Sequence, residues 1–214
     1  KMEQIIEPKF KRTEYLITDF GAKGDGQFKN TEAFHKAIAK AFSQGGGTVV
    51  VPEGIWYTGP ITLKSNINLH LKQGALILFS DQFDDYPLVE TSYEGLKSAR
   101  STSPINALGA KNIAITGKGI IDGNGGAWRP VKKSKMTQHQ WNALISSGGV
   151  LSDNKSVWYP DEAALKGSKS DLNDWTIEQL QTVRSFLRPV MVSLVDCENI
   201  LLDGPTFQNS PAWN

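Results

Sequence analysis

Three short stretches of this 214-residue chain are near copies of one another: Asn66-Ile67-Asn68-Leu69, Asn112-Ile113-Ala114-Ile115 and Asn199-Ile200-Leu201-Leu202. A glycine-bearing break follows each, and then a second apolar element: Leu76-Ile77, Ile120-Ile121 and the Phe207 region. The first two copies start 46 residues apart, which is two coils of roughly 23 residues, within the span of solenoid repeats. The third starts 87 residues further on, which requires a long insertion. A chain that keeps returning to the same short strand can bury its inward residues by stacking each coil on the last. The expected fold is therefore all-β, a parallel β-solenoid. An antiparallel sandwich, which also has short strands at regular spacing, is the alternative.

One helix precedes the repeats. Asn30 is the expected cap, Glu32 sits in the first turn, and Phe34, Ile38 and Phe42 recur every four residues on one face. Gly45-Gly46-Gly47 ends it, and β-branched Thr48-Val49-Val50-Val51 starts the strands. At the N-terminal end of a solenoid, an amphipathic helix from about Asn30 to Phe42 would cap exposed strand edges and core. From Gly123 to Leu187 the strand pattern fades into a partly helical insertion. It holds the basic run Arg129-Pro130-Val131-Lys132-Lys133-Ser134-Lys135, and Trp141, Trp158 and Trp175 as candidates to stack on a ligand. Thr176 to Phe186 has helical spacing, with Asp174 or Thr176 as cap. Long excursions from a repeat scaffold often carry binding.

Composition narrows the chemistry. Lys plus Arg is 23 against 22 Asp plus Glu, so no general basic field favours nucleic acid. The longest apolar run is five residues, Ala75 to Phe79, far short of the ~20 of a membrane span. One cysteine, Cys197, and three scattered histidines supply no disulfide framework and no cysteine- or histidine-built metal site. Asp25 in Gly24-Asp25-Gly26 reads as a turn, Cys197 as a core or turn residue, and His70 as a strand residue facing outward or packing on a neighbouring coil. Asp122 and Asp203 both follow a repeated strand beside glycine, the pattern of turn aspartates and not of a catalytic pair. Asp171 and Asp174 are no better placed for catalysis.

A family resemblance runs through the chain. Ile17-Thr18-Asp19-Phe20-Gly21-Ala22-Lys23-Gly24-Asp25-Gly26, then Asn30-Thr31-Glu32-Ala33-Phe34 and Gly45 to Gly54, resemble the N-terminal signature of the pectin-lyase-like superfamily. Tyr57 to Asn66, Ile115-Thr116-Gly117-Lys118-Gly119-Ile120-Ile121-Asp122-Gly123, Arg188-Pro189 and Asn209-Ser210-Pro211-Ala212-Trp213 resemble the polygalacturonases, glycoside hydrolase family 28. That family's catalytic motifs (Asn-x-Asp, Asp-Asp, Gly-His-Gly and Arg-x-Lys) follow the Asn-Ser-Pro-x-Trp segment, and this sequence ends at Asn214. The resemblance is thus to the N-terminal portion of such an enzyme.

The resemblance implies a right-handed parallel β-helix that hydrolyses α-galacturonosyl bonds by inversion, with catalytic aspartates expected beyond residue 214. Inversion needs two carboxyls roughly 6.5–9.5 Å apart, and two stacked coils offer a spacing of about 9.6 Å. Arg188 becomes a candidate for pairing a galacturonate carboxylate, and Trp213 and Asn214 for lining the cleft. The implied partner is a polysaccharide, galacturonan or rhamnogalacturonan, met in a secreted or periplasmic setting. No cofactor, metal, nucleic acid or membrane is implied. Residues 1–214 alone are expected to be inactive, with a contact over the open C-terminal end around Ile200, Leu202 and Phe207. The insertion, as a wall at one end of a cleft, favours action at chain ends. A non-catalytic carbohydrate-binding or adhesin-like β-helix is the alternative.

Overall fold

The computed structural model describes residues 6–93 and 96–212. Strands and helices are numbered in chain order. Sheet A joins β1 (Glu14–Leu16), β2 (Gly47–Val51), β5 (Ile67–Leu71), β10 (Lys111–Gly117) and β16 (Glu198–Asp203), in that order. Sheet B joins β3 (Gly54–Thr58), β6 (Ala75–Phe79), β11 (Ile120–Asp122) and β17 (Thr206–Gln208). Sheet C joins β4 (Ile61–Thr62), β9 (Ile105–Leu108) and β15 (Val192–Val195). Every pairing in these sheets is parallel, which excludes the antiparallel sandwich. Three times the chain passes through sheet C, then A, then B.

The three copies seen in the sequence are β5, β10 and β16, side by side and in register. Ile67 lies opposite Ile113 and Ile113 opposite Ile200, while Leu69, Ile115 and Leu202 form the next row. The second elements align equally, with Ile77, Ile121 and Phe207 in one row. Strand alternation sends these residues inward, where Ile67, Leu69, Ile77, Ile113, Ile115 and Ile121 are buried. Burying each such side chain contributes about 1.5–3 kcal/mol. The row ends at β16, where Ile200 is 40% exposed and Leu202 48%.

Asparagine makes the turn into each copy. Asn66, Asn112 and Asn199 have φ of 63, 55 and 57°, the left-handed region that asparagine tolerates better than most residues. Their amides form a ladder: Asn112 Nδ2 donates to Asn66 Oδ1 at 3.1 Å, and Asn199 Nδ2 donates to Asn112 Oδ1 at 2.6 Å.

Helix α1 (Thr31–Ser43) packs on β2 and on the 3-10 turn Ile17–Phe20. Its buried face is Ala33, Phe34, Ala37, Ile38 and Ala41. Phe42, expected on that face, is 45% exposed with the Lys64 ammonium 5.1 Å over its ring. Asn30 precedes the helix, but its side chain makes no cap bond. It is buried and fastens two strands of loop to β3: Oδ1 accepts from the Lys23 amide, and Nδ2 donates to the Lys23, Phe28 and Tyr57 carbonyls.

The chain divides into two compact units. The first holds sheets A, B and C with α1. The second comprises Asp81–Thr102 and Asn124–Val190, joined by Pro211 and Ala212. In it β7 (Leu88–Tyr93) and β8 (Leu96–Ser101) form an antiparallel hairpin. Strands β12 (Val131–Lys132), β13 (Val150–Leu151) and β14 (Val157–Tyr159) form a small antiparallel sheet in the order β12-β14-β13. Helices α2 (Gln138–Ser146), α3 (Glu162–Lys169) and α4 (Ile177–Gln181) complete it. Thr176 caps α4 through a capping box with Gln179. Both excursions leave after a sheet B strand and return before a sheet C strand.

Candidate functional site

Arg188 lies at the end of the second excursion, half-buried. Its Nη1 donates to the Pro211 carbonyl at 3.2 Å, and its own carbonyl accepts from Arg100 Nη1 at 3.2 Å. The guanidinium therefore holds the backbone of the Asn-Ser-Pro-x-Trp segment two residues before Trp213. Trp213 and Asn214 lie outside the described residues.

Where that segment begins, Asp122 Oδ2 accepts from Gln208 Nε2 at 2.7 Å and from Asn209 Nδ2 at 2.8 Å. The carboxylate ties β11 to β17 and fixes the residue that opens the segment. Asp203 belongs to sheet A, opposite Thr116, so the two aspartates stand on different sheets and form no pair. Cys197 Sγ contacts the Val195 carbonyl in the turn between β15 and β16, a packing role.

Sheet C carries a polar row absent from the sequence reading. Thr62, Asn106 and Ser193 lie in register, alternating with the inward Ile61, Ile105 and Ala107. Thr62 Oγ1 donates to Asn106 Oδ1 at 2.9 Å, and Asn106 Nδ2 donates to the Ser103 carbonyl at 3.0 Å. A signal was present: Asn106 and Ser193 each stand six residues before their copy of the repeated asparagine. On sheet A, Thr116 Oγ1 donates to Asn68 Oδ1 at 2.9 Å and so accepts from His70 Nδ1 at 2.7 Å. Partial burial, with Lys72 nearby, lowers the His70 pKa from its ordinary value.

The second unit contains an open cavity of about 680 Å³ lined by Asp81, Asp84, Asp161, Glu178, Arg184 and Ser185, among others, a size typical of small-molecule sites. Its charges are committed to structure. Asp84 Oδ1 pairs with Arg184 Nη1 at 2.7 Å. Asp161 Oδ1 caps α3 through the Ala164 amide at 2.7 Å and accepts from the Ser185 hydroxyl at 2.6 Å. Glu178 lies in the first turn of α4, where its own amide and then the Thr176 hydroxyl hold its carboxyl below the usual range. Asp25, bonded by the Phe28 and Gln27 amides in the expected turn, is lowered for the same reason. Both shifts run opposite to what a general acid requires.

The tryptophans of the excursion are mostly unavailable for stacking. Trp141 is 3% exposed and Trp158 is 8%, with its Nε1 bonded to the Gly148 carbonyl. They form the small core that the excursion needs once the chain leaves sheets A, B and C. Trp175 is half-buried, with Lys166 Nζ 5.5 Å from its ring centre. The basic run, in contrast, is exposed from Arg129 through Lys135 except for Val131.

Residues 16–184 match the family described as rhamnogalacturonase A/epimerase, pectate lyase-like. An exo-poly-alpha-D-galacturonosidase of Dickeya chrysanthemi is 39% identical over 155 residues, 65% of this chain and 25% of that protein. A plasmin and fibronectin-binding protein A of Streptococcus pneumoniae is 36% identical over 209 residues, 96% of this chain and 25% of that one. The crystal structure of a hyperthermoactive exopolygalacturonase from Thermotoga maritima matches with a TM-score of 0.68 at 31% identity, over 98% of this chain and 44% of that chain. The chain thus spans about a quarter of each of these curated relatives. It belongs to the rhamnogalacturonase A/epimerase, pectate lyase-like family, with polygalacturonases among its relatives.

Proposed function

We propose that the polypeptide carrying this chain is a pectin-degrading glycoside hydrolase that cleaves α-galacturonosyl linkages of galacturonan with inversion. The carrying observation is the likeness to an exopolygalacturonase along 98% of the chain at 31% identity. The same reading takes sheets A, B and C as faces of a right-handed β-helix, with α1 capping its N-terminal end. The catalytic carboxyls belong to the part of the fold that the relatives possess and these 214 residues do not span, so residues 1–214 alone are inactive. A further coil covers Ile200, Leu202 and Phe207. Arg188 acts as a positioning residue for the segment leading to Trp213 and Asn214. The excursions favour attack at chain ends, and the enzyme works where pectic polymer is met, secreted or periplasmic.

Reducing-end release from polygalacturonate by the longest natural polypeptide containing this chain tests the reading, with the product anomer followed by NMR. Initial release of the β-anomer as monomer or dimer supports inverting exo action, and mid-chain oligomers refute the exo assignment. The likeness to a plasmin and fibronectin-binding protein over 96% of the chain favours a second reading, a non-catalytic binding β-helix. Tight retention of substrate without turnover would support it.

A further inference from the structure

Between Gly123 and Ser152 the sequence contains Arg129, Lys132, Lys133 and Lys135 and no Asp or Glu. The fold adds a fifth cation. The Lys133 amide donates to the Ser156 carbonyl at 2.9 Å, which brings Lys155, one residue earlier, beside Lys133. All five are exposed, and among the described residues none has an ion-pair partner. No carboxylate stands on the small sheet itself, since β12, β13 and β14 carry none; helix α3, which packs on β13 and β14, brings Glu162 in its first turn. Asp153, in the turn before Lys155, is engaged by Lys169 through both oxygens at 2.8 Å.

Lysines on an edge strand such as β12 also guard against edge-to-edge pairing. That role accounts for Lys132, and it leaves Arg129, Lys133, Lys135 and Lys155, which lie off the strand, without a reason. Nucleic-acid grooves pair their cations with exposed aromatic platforms. Here Trp128, Trp141 and Trp158 are all buried. The surface offers charge alone, which fits a polymer with a regularly charged backbone.

We propose that Arg129, Lys132, Lys133, Lys135 and Lys155 form a docking strip for a polyuronate chain, an acidic polysaccharide bound through its carboxylates. The choice of polymer rests on the functional reading above; the strip itself rests on the charges. The test compares the native protein with R129Q/K132Q/K133Q/K135Q and with K132R/K133R/K135R. Binding is measured to unesterified polygalacturonate, fully methyl-esterified galacturonan, a single-stranded DNA oligonucleotide and phosphatidylglycerol vesicles. We expect the native protein to prefer polygalacturonate and to lose affinity steeply with salt. The glutamine variant should bind about tenfold more weakly near 0.15 M salt, four exposed ion pairs multiplying to that order, and the arginine variant should bind like the native protein. Unchanged affinity in the glutamine variant, equal binding of the esterified polymer, or tighter binding of DNA or vesicles overturns the proposal. Hydrolysis measured on the same samples separates the two readings. Affinity lost in the glutamine variant without turnover in the native protein supports the strip and refutes the hydrolase.

Discussion

Asn112 is the residue on which the repeat logic can be tested most directly. It combines a left-handed backbone, φ 55°, with both bonds of the amide ladder. Replacing it by alanine removes two hydrogen bonds. The bond to Asn66 joins half-buried groups and is worth about 1 kcal/mol, and the one to the exposed Asn199 about 0.5 kcal/mol. Forcing a Cβ without a local polar group into this conformation adds about 1 kcal/mol. The expected loss is about 2–3 kcal/mol, a large part of the roughly 5–15 kcal/mol that holds a domain. Asn112→Gly loses the same bonds without the backbone penalty. It returns part of that gain through unfolded-state entropy, so it should be about 0.5 kcal/mol more stable than the alanine variant. Urea unfolding followed by far-UV circular dichroism measures both. An alanine variant within 0.5 kcal/mol of native, or a glycine variant below it, would refute the account of the ladder.

Three further outcomes follow from single contacts. Gly117→Ala, at φ +107°, would place a Cβ on the Leu71 carbonyl between β5 and β10; about 3 kcal/mol or more should be lost in urea titration, while Gly126→Ala, with open space around it, stays near native. Asp161→Ala removes the α3 cap and leaves the buried Ser185 hydroxyl without its acceptor; a loss of about 2–4 kcal/mol is expected, read as faster amide exchange in α3. The lowered pKa of His70 means that below about pH 6.5 the unfolded chain takes up a proton which the folded chain resists, so stability falls as pH drops through that range and is unaffected above it. His70→Gln, which can still reach Thr116, should flatten the loss of melting temperature between pH 7 and pH 5, and an unchanged slope would assign that loss elsewhere.

What the sequence disclosed was whatever the parallel register of the strands repeats. The register of β5, β10 and β16 could be read from three asparagines because each makes the same left-handed turn before the same inward pair. Asn30 carries the same sequence signal whether its amide turns to the helix or to a loop, so a cap is expected where none forms. Only the closeness of Lys23, Phe28 and Tyr57 decides that. Trp141 and Trp158 depart from expectation for a related reason: an excursion without strand periodicity gives no pattern by which to separate its own small core from its surface. The acidic cavity is not legible in the sequence because its charged groups come from segments about 80 to 100 residues apart, Asp84 from one and Asp161 and Arg184 from the other.

The same stacking explains where chemistry can be added without cost to the fold. An inward residue on an inner strand is held by neighbours on both sides, so a change at Ile113 or Ile115 disturbs both adjoining strands. An outward residue meets its register partners and nearby turn groups, not a packed core. Thr62, Asn106 and Ser193 show the consequence: three different side chains occupy one position of the coil, and their parallel strands hold them about 4.8 Å apart. A strand paired in parallel with β15 would continue that row at the same spacing, and only its outward residue need change for the row to gain a carboxylate. On such a parallel sheet a pair of acids two strands apart is a matter of two substitutions at positions whose geometry the core has already set.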